Sequence, residues 1–381
     1  MDFRLTAEQE LLRDGLGRFL ATRYRLDSSR AAARTGSGWQ PEIWRAFADE
    51  LGILAAPLPE SAGGIDGGPV EVMVIAEELG RALVIEPYID VVVVAGGLLQ
   101  RSPSPRAAAV LSEVGRGEAI VALAAGEPSD GDRWEAPSTI AVSNGEHWEI
   151  TGSKAVVVAA PLATHLLITA RTADTTGGQS DGTALFLTEF DPTDPPPGVE
   201  IHPYRTIDDR RAADLVFAGL RLPAEALITV DARPSLQLAC DQGAAAVCAE
   251  AVGAMRTVLA DTIAYCKQRQ QFGQPIGGFQ VLQHRMVDMY IELEQAVSAA
   301  YLATLKLDSE PAARARAVSA AKATIGRAAR FIGQSAVQLH GGMGMTEELG
   351  VGHYFKRLTA LQYEFGSTDA HRTRYEQLTR G

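Results

Sequence analysis

Residues 265–289 read "YCKQRQQFGQPIGGFQVLQHRMVDM" and interrupt a long helical pattern. An alanine-rich helical pattern covers residues 238–269 and ends within this stretch. A second helical pattern begins within it and covers residues 279–307. A third pattern covers residues 311–341, and glycine pairs at 277–278 and 341–342 punctuate the three patterns. Long helices joined by short loops favour a four-helix bundle, so the C-terminal part of the chain predicts one.

The middle of the chain has the alternation of apolar and polar residues that is typical of strands. The stretch "STIAVSNGEHWEITG" places two such runs around Asn144-Gly145, which is a strong hairpin signal. Further strand-like runs are "THLLITART", "TALFLTEF" and "ADLVFAGLRL". We therefore predict a β domain of six to eight strands at residues 119–228.

The first part of the chain is helical in pattern. Thr6 is expected to cap a helix that starts at Ala7, and a second helix is expected over residues 41–52. Between the second helix and the next helical run lies the glycine-rich loop "LPESAGGIDGGP". The predicted organisation is thus an N-terminal helical domain at residues 1–118, the β domain at 119–228 and the helical bundle at 229–381.

Composition narrows the classes of function. A net charge of −12 opposes nucleic acid as the main partner, because phosphates would be repelled. The longest apolar run, residues 84–99, is interrupted by Glu86, Pro87 and Asp90, so no membrane span is expected. The N-terminus lacks the pattern of a signal peptide. Three cysteines without a CxxC motif favour free core thiols and no metal site, and we expect a cytoplasmic protein.

Four stretches together resemble the acyl-CoA dehydrogenase family. Residues 1–20 look like the family's opening helix, and residues 51–83 look like its second and third helices. The stretch quoted above is close to an R-x-x-F-G…Q signature of the family, and residues 334–357 are close to its Q-x-x-G-G-x-G signature. The resemblance spans the whole chain in order. It implies an α+β fold of N-terminal helical domain, middle β domain and C-terminal four-helix bundle, with FAD as cofactor and usually a tetramer.

The resemblance also implies a reaction. In the family, a carboxylate removes the α-proton of an acyl-CoA thioester while the β-hydrogen leaves as hydride to the flavin, and an electron-transfer acceptor reoxidises the flavin. Each FAD lies between two subunits. One subunit holds the flavin ring and the substrate, whereas its partner reaches the pyrophosphate and adenine. The two halves of this site can therefore be examined separately.

The half that contacts the nucleotide end is present. By resemblance, the cofactor-binding residues are Arg269, Gln271, Phe272, Gln280, Gln338, Gly341 and Gly342. The Arg269 guanidinium suits a pyrophosphate, because it is permanently charged and offers a planar fork of donors. Phe272 is expected to pack on the cofactor, and Gly273 to end the preceding helix. The two glycines would allow close approach of the backbone.

The half that holds the flavin ring is degraded. The family's T-E-P-like segment appears as "GEP", with Gly126 in the threonine position. The family's W-I-T triplet falls on residues 156–158, which are three valines without the hydroxyl that contacts the flavin. From their pattern alone, we expect these valines to be strand core.

The catalytic carboxylate is missing from the stretch "LQYEFGSTDAHR", residues 361–372. An ungapped match of the family's Y-E-G-T puts Gly366 at the base, and a shift by one puts Phe365 there. An alternative base position on a bundle helix falls near Gly243, and Asp241 is expected to face elsewhere. Glu364 and His371 are possible substitutes, although both are expected to be surface or interface residues.

Three hypotheses can explain this combination. In the first, the chain is the non-catalytic subunit of a heterotetramer and pairs with a homologous dehydrogenase chain that carries the base and binds most of the acyl-CoA. Heterotetramers that act on steroid side-chain CoA thioesters in actinobacteria resemble this pattern. In the second, the chain is a homotetrameric dehydrogenase with a displaced base, Glu364 or Asp241. In the third, it is a flavin-free scaffold of the same fold.

Overall fold

The helices and strands have the predicted order of helices, sheet and helices. The structure is a computed structural model that describes residues 4–35, 37–128, 134–143, 145–174 and 179–380. The N-terminal helices are α1 (Ala7–Arg23), α2 (Leu26–Arg34), α3 (Pro41–Asp49), α4 (Pro69–Ala82), α5 (Gly96–Gln100) and α6 (Pro105–Gly115). The strands of the main sheet are β1 (Val121–Ala124), β2 (Ile140–Ser143), β3 (His147–Val158), β4 (His165–Asp174), β5 (Gln179–Glu189), β6 (Val199–Arg205), β7 (Arg211–Pro223) and β8 (Leu227–Thr229). The C-terminal elements are α7 (Arg233–Gln268), β9 (Gln270–Gln271), β10 (Gln274–Pro275), α8 (Gln280–Leu305), α9 (Pro311–His340), α10 (Val351–Ala360) and α11 (Thr368–Arg380).

The first helix begins where the sequence predicts. Thr6 is its N-cap, and the Thr6 hydroxyl accepts a hydrogen bond from the Gln9 backbone at 3.2 Å. The Gln9 side chain in turn accepts from the Thr6 backbone at 3.0 Å. This reciprocal capping box satisfies backbone donors that a helix start leaves without intrahelical partners. It contributes about 1 kcal/mol to helix stability.

The strands of the middle region form one mixed sheet in the order β6-β7-β3-β2-β4-β5-β8. Strands β2 and β3 pair antiparallel, as the predicted hairpin requires, although Asn144 in its turn lies outside the described residues. Strand β4 pairs in parallel with β1 over its first residues and with β2 over its last. The eight strands found among the described residues agree with the predicted six to eight.

Apolar side chains pack into a core on this sheet. Ile150, Ile168, Phe186 and Phe217 are each at most 1% exposed. Burial of side chains of this size stabilises a fold by about 1.5–3 kcal/mol each. The core therefore gives the middle region a packing centre of its own.

The chain forms two compact units. Unit 1 comprises Met1–Ser29, Pro69–Val84 and Ala244–Gly381, and unit 2 comprises Arg30–Gly68 and Ile85–Gly243. Because this grouping crosses the segments inferred from the sequence, the domain boundaries at 118/119 and 228/229 stay predictions. In unit 1, α1 packs on α4, and α8, α10 and α11 pack on α9. Unit 2 contains the main sheet together with α3, α5 and α6.

Two apolar segments are buried within the fold. The run at residues 84–99 contains a π-helical segment, Ile89–Ala95, that continues into α5. Among the described helices, α7 is long and apolar enough to cross a membrane by length and composition. However, 83% of its apolar window is buried inside the fold, so α7 is only a weak indication of a span.

Candidate functional site

A short hairpin presents Phe272 to solvent. Helix α7 ends at Gln268, and β9 and β10 then pair around a loop of Phe272 and Gly273. Both loop residues have positive φ, +54° and +79°, as a type I′ turn requires. Gly273 therefore forms part of the turn, and the expectation that it ends the helix is wrong. Positive φ is rare for a bulky residue and signals local strain. The Phe272 side chain is 91% exposed and has an edge-on ring contact with Phe279 at 6.1 Å.

The structure brings the two signature motifs to one end of unit 1. The Tyr265 ring stacks on the His340 ring with centroids 4.3 Å apart and planes inclined by 28°. Arg269 lies one helical turn after Tyr265, and Gly341 directly follows His340. Motifs separated by about 70 positions in the chain are thus neighbours in the fold.

The residues predicted to bind the cofactor, which we call the nucleotide residues, have free polar groups. The side chains of Arg269, Gln271, Gln280 and Gln338 are exposed, and none has a hydrogen bond or ion pair within the described ranges. Gly341 has a φ of +61°, and a Cβ built on it or on Gly342 would meet no atom within 4 Å. The backbone at this glycine pair is therefore open to close approach.

The nucleotide residues lie in segments without carboxylates. Residues 262–287 contain Lys267, Arg269 and Arg285 but no Asp or Glu, and residues 311–346 contain five basic residues and no Asp or Glu. In a chain with a net charge of −12, Lys267 and Arg269 therefore lie in a stretch of sequence that has basic residues and no carboxylates. A phosphate group is favoured at such a place by Coulomb attraction and by charge-assisted hydrogen bonds. The donor set fits the pyrophosphate and adenosine end of a dinucleotide.

The stretch without a carboxylate, which we call the C-terminal turn (residues 361–367), is braced from inside. Lys322 of α9 is 2% exposed, and its ammonium donates to the carbonyls of Leu361 and Gly366 at 2.9 Å each. The His371 Nε2 lies 2.8 Å from the Phe365 carbonyl, which can only accept, so Nε2 carries the hydrogen. His371 is 3% exposed, so the expectation of a surface or interface position for it is wrong.

The C-terminal turn has no space for a longer side chain at Gly366. This glycine has a φ of +104°, and a Cβ built on it would lie 2.7 Å from His371 Nε2. Phe365 also has a positive φ, +54°, and is 9% exposed. A cavity of about 10 Å³ between α7 and α9 is lined by Cys248, Lys322 and their neighbours. It is no larger than the space that one water needs.

The two substitute carboxylates are both held by the fold. Glu364 forms an ion pair with Arg357, and Arg357 also binds Glu250 through two contacts of 2.7 Å. Arg357 and Glu250 are 3% and 2% exposed, so this is a buried triad. The Glu364 side chain is 25% exposed and lies at the edge of the triad. Asp241 in unit 2 is fully buried.

The segment with the family's T-E-P-like pattern contains a buried polar network. Glu127 accepts hydrogen bonds from the Lys154 ammonium at 2.7 Å, from the Thr139 hydroxyl at 2.7 Å and from Ser138. Desolvation acts to raise the pKa of Glu127, but these hydrogen bonds outweigh it and lower the pKa to about 2. Burial lowers the pKa of Lys154 to about 8, because its pairing with Glu127 offsets only part of the desolvation. Glu127 is thus a structural anchor in unit 2.

The three valines do not form a continuous strand core. Val157 is 1% exposed, as expected, but Val156 is 59% exposed with a φ of +53°. The expectation is wrong for Val156 because a bulge interrupts the register between β3 and β7 there. The Val156 backbone instead donates to the Asp214 carboxylate at 2.9 Å. The bulge therefore turns the Val156 side chain outward, and a valine side chain cannot form a hydrogen bond.

The cysteines are free thiols, and the described residues form no cluster that could hold a metal ion. Cys248 and Cys266 are buried, Cys240 is partly buried, and all three are free thiols, as expected. Burial raises the pKa of Cys248 to about 12, which makes it unreactive at neutral pH. Within the described ranges, no group of three or more His, Cys, Asp or Glu could hold a metal ion.

Comparison with known proteins gives the family. Three family descriptions match in order: acyl-CoA dehydrogenase N-terminal domain over residues 6–105, middle domain over 122–220 and C-terminal domain over 235–377. The acyl-CoA dehydrogenase IpdE2 of Mycobacterium tuberculosis is 30% identical over 350 residues, which cover 92% of this chain and 90% of that protein. The probable acyl-CoA dehydrogenase YngJ of Bacillus subtilis is 28% identical over 98% of both chains. A solved structure of the Tcur3481-Tcur3483 steroid ACAD is 26% identical, covers 98% of both chains and has a TM-score of 0.86. The predicted fold is thereby confirmed, and the chain belongs to the acyl-CoA dehydrogenase family of FAD-dependent oxidoreductases.

Proposed function

We propose that this chain is the subunit of a heteromeric acyl-CoA dehydrogenase that lacks the catalytic base and completes the FAD site of a homologous partner chain. The contrast between the exposed, unpaired Arg269 and the internally braced C-terminal turn carries the proposal. The solved Tcur3481-Tcur3483 steroid ACAD, whose name combines two chains, supports it by analogy. Its substrate class suggests a steroid-derived acyl-CoA here, bound mainly by the partner, in a cytoplasmic complex that passes electrons to a separate acceptor.

The nucleotide residues would hold one end of FAD. Arg269 would donate to the pyrophosphate oxygens, because its fork of N–H groups matches their geometry. The glutamines offer both donors and acceptors to the adenosine part. The open backbone at Gly341 and Gly342 allows the cofactor to approach without a side chain in the way. When bound, FAD supplies the hydride acceptor for α,β-desaturation.

The proton-removing step falls to the partner in this proposal. Neither Phe365 nor Gly366 can accept a proton, and His371 and Lys322 are occupied by backbone carbonyls of the C-terminal turn. Gly366 has a φ of +104°, which favours glycine, so matching the family's glycine to Gly366 would put Phe365 in the base position. A general base must lie within hydrogen-bond reach of the proton that it removes. We infer that the base and the flavin-ring contacts lie in the other chain type.

The test is co-expression with homologous dehydrogenase chains and a count of bound FAD per polypeptide. The expected result is one flavin for every two polypeptides in the complex and none in the isolated chain. Arg269→Ala should weaken FAD binding by the complex about 10–100-fold, because it removes charge-assisted hydrogen bonds worth about 1.5–3 kcal/mol. Arg316→Ala is the matched control. Arg316 is also exposed, but it lies near the start of α9, whereas Gln338 and the glycine pair lie at the end of that helix.

Two outcomes would replace the proposal. Flavin and thioester oxidation by the isolated chain would favour the homotetramer with Glu364 or Asp241 as displaced base. Complexes that contain no flavin would favour the flavin-free scaffold, and complexes that keep their flavin fully in Arg269→Ala would contradict the proposal.

A further inference from the structure

We propose that Tyr265 and His340 are positioning residues for the nucleotide site. Their stacked rings set the distance between Arg269 and the Gly341–Gly342 backbone, and thereby control how tightly the nucleotide end of FAD is held. The inference rests on the proposed function and deepens it. The signature motifs name the residues expected to contact the cofactor, whereas this pair lies behind them.

The pair joins the last turn of α7 to the last residue of α9. The Arg269 backbone donates to the Tyr265 carbonyl at 2.8 Å, so Arg269 is fixed directly to the turn that carries the tyrosine. On the other side, the Gly341 backbone follows His340 and donates to the Gln338 carbonyl. The ring contact between Tyr265 and His340 is thus a direct side-chain link between the two motifs.

The orientation of the imidazole is fixed by the end of its own helix. His340 is 6% exposed, and its Nδ1 lies 2.8 Å from the Ala336 carbonyl. A carbonyl only accepts, so Nδ1 carries the hydrogen and the ring cannot turn without losing this bond. The Tyr265 hydroxyl donates to the His340 carbonyl at 3.4 Å, which is a long and weak bond. The stacked rings therefore carry most of the coupling.

Asp261 lies one turn before Tyr265 on α7. Desolvation raises the pKa of Asp261, and a Coulomb interaction with His340 opposes this shift. The geometry of the two rings sets the spacing between the motifs. Stacked aromatic pairs contribute beyond the area that they bury, because their quadrupoles favour specific geometries.

The experiment measures FAD affinity of the co-expressed complex after removal of its flavin. Tyr265→Leu should weaken FAD binding about tenfold, because the ring contact is lost and the two motifs no longer share a fixed spacing. Tyr265→Phe keeps the ring and loses only the weak hydroxyl bond, so it should bind within about twofold of the unmodified complex. Thermal unfolding of the flavin-free complexes checks that both variants assemble.

A double variant distinguishes positioning from general loss of structure. If Tyr265 acts through Arg269, then Tyr265→Leu combined with Arg269→Ala should weaken binding by less than the product of the single effects. If Tyr265→Leu does not assemble, His340→Leu replaces it with the same expected results.

Three results would overturn the inference. They are unchanged FAD affinity in Tyr265→Leu, an equal loss in Tyr265→Phe, and fully multiplicative effects in the double variant. The proposed function fails separately, when Arg269→Ala alone leaves FAD binding unchanged. A complex with a sensitive Arg269 and an insensitive Tyr265 would therefore keep the function and discard only the positioning pair.

Discussion

The nucleotide residues and the C-terminal turn belong to the same unit but use their polar groups in opposite ways. Arg269 and the nearby glutamines face solvent without partners in the described part of the chain. In the C-terminal turn, the carbonyls of Leu361, Phe365 and Gly366 are all taken by buried side chains of the same unit. Groups that the fold leaves free can bind a ligand, whereas groups that it satisfies internally hold the fold together. In the proposed function, the first set belongs to the half of the FAD site that this chain supplies.

The largest loss in the free energy of unfolding is expected when Arg357, which binds Glu250 and Glu364, is replaced. Arg357→Ala leaves Glu250 buried and without its main counter-charge, which costs about 3–5 kcal/mol. Urea unfolding of the isolated chain measures the change. Arg372→Ala is the control, since its ion pair with Asp369 is exposed, and it should change the free energy of unfolding by less than about 1 kcal/mol. A loss below about 1 kcal/mol in Arg357→Ala would contradict the contrast.

The second prediction concerns the pH dependence of stability that the buried Glu127 network in unit 2 produces. The pKa of Glu127 is about 2 in the fold against 4.5 for an ordinary glutamate, so the unfolded chain binds more protons between these values. The stabilisation is therefore fully present above about pH 4.5 and is lost as the pH falls through about 2. Its size is roughly 3 kcal/mol. Unfolding measured across this range should show a shallower acid loss in Glu127→Gln than in the unmodified chain. Equal slopes would show that Glu127 is not the responsible group.

The smallest change in the free energy of unfolding is expected at Gly366, where it tests how tightly the C-terminal turn is packed. Gly366→Ala should lower the free energy of unfolding by about 1–3 kcal/mol, because alanine disfavours the positive φ and its Cβ meets the His371 ring. Gly15→Ala in α1 is the matched control, since a Cβ there meets no atom within 4 Å and alanine favours the helix. The control should be neutral or stabilising. If both substitutions behave alike, the C-terminal turn is less tightly packed than the structure shows.

Local sequence signals predicted much of this fold. The Thr6 cap, the hairpin of β2 and β3 and the long bundle helices depend on neighbouring residues, so their patterns are visible in the chain. The seven nucleotide residues were also found from their motifs, although their role stays a prediction. Exposure and lack of partners could not be predicted, because they depend on residues far away in the chain.

Contacts between distant positions explain what sequence reasoning missed. Glu250 and Arg357 lie 107 positions apart, and neither belongs to a pattern that indicates the pair. The outward bulge at Val156 depends on register between two strands, which three consecutive valines do not reveal. His340 gave no signal of its own beyond its place before the glycine pair. These features are set by tertiary packing, which overrides local preference.

The turn at Phe272 has a consequence for the life of the unassembled polypeptide. Its backbone conformation costs about 1–2 kcal/mol relative to a residue that tolerates positive φ, and it displays an aromatic ring to water. In the proposed heteromer, a newly made copy without its partner would therefore expose an aromatic side chain that chaperones and proteases can recognise. Degradation of such copies would keep the amounts of the two proposed chain types matched, without any regulator dedicated to that task.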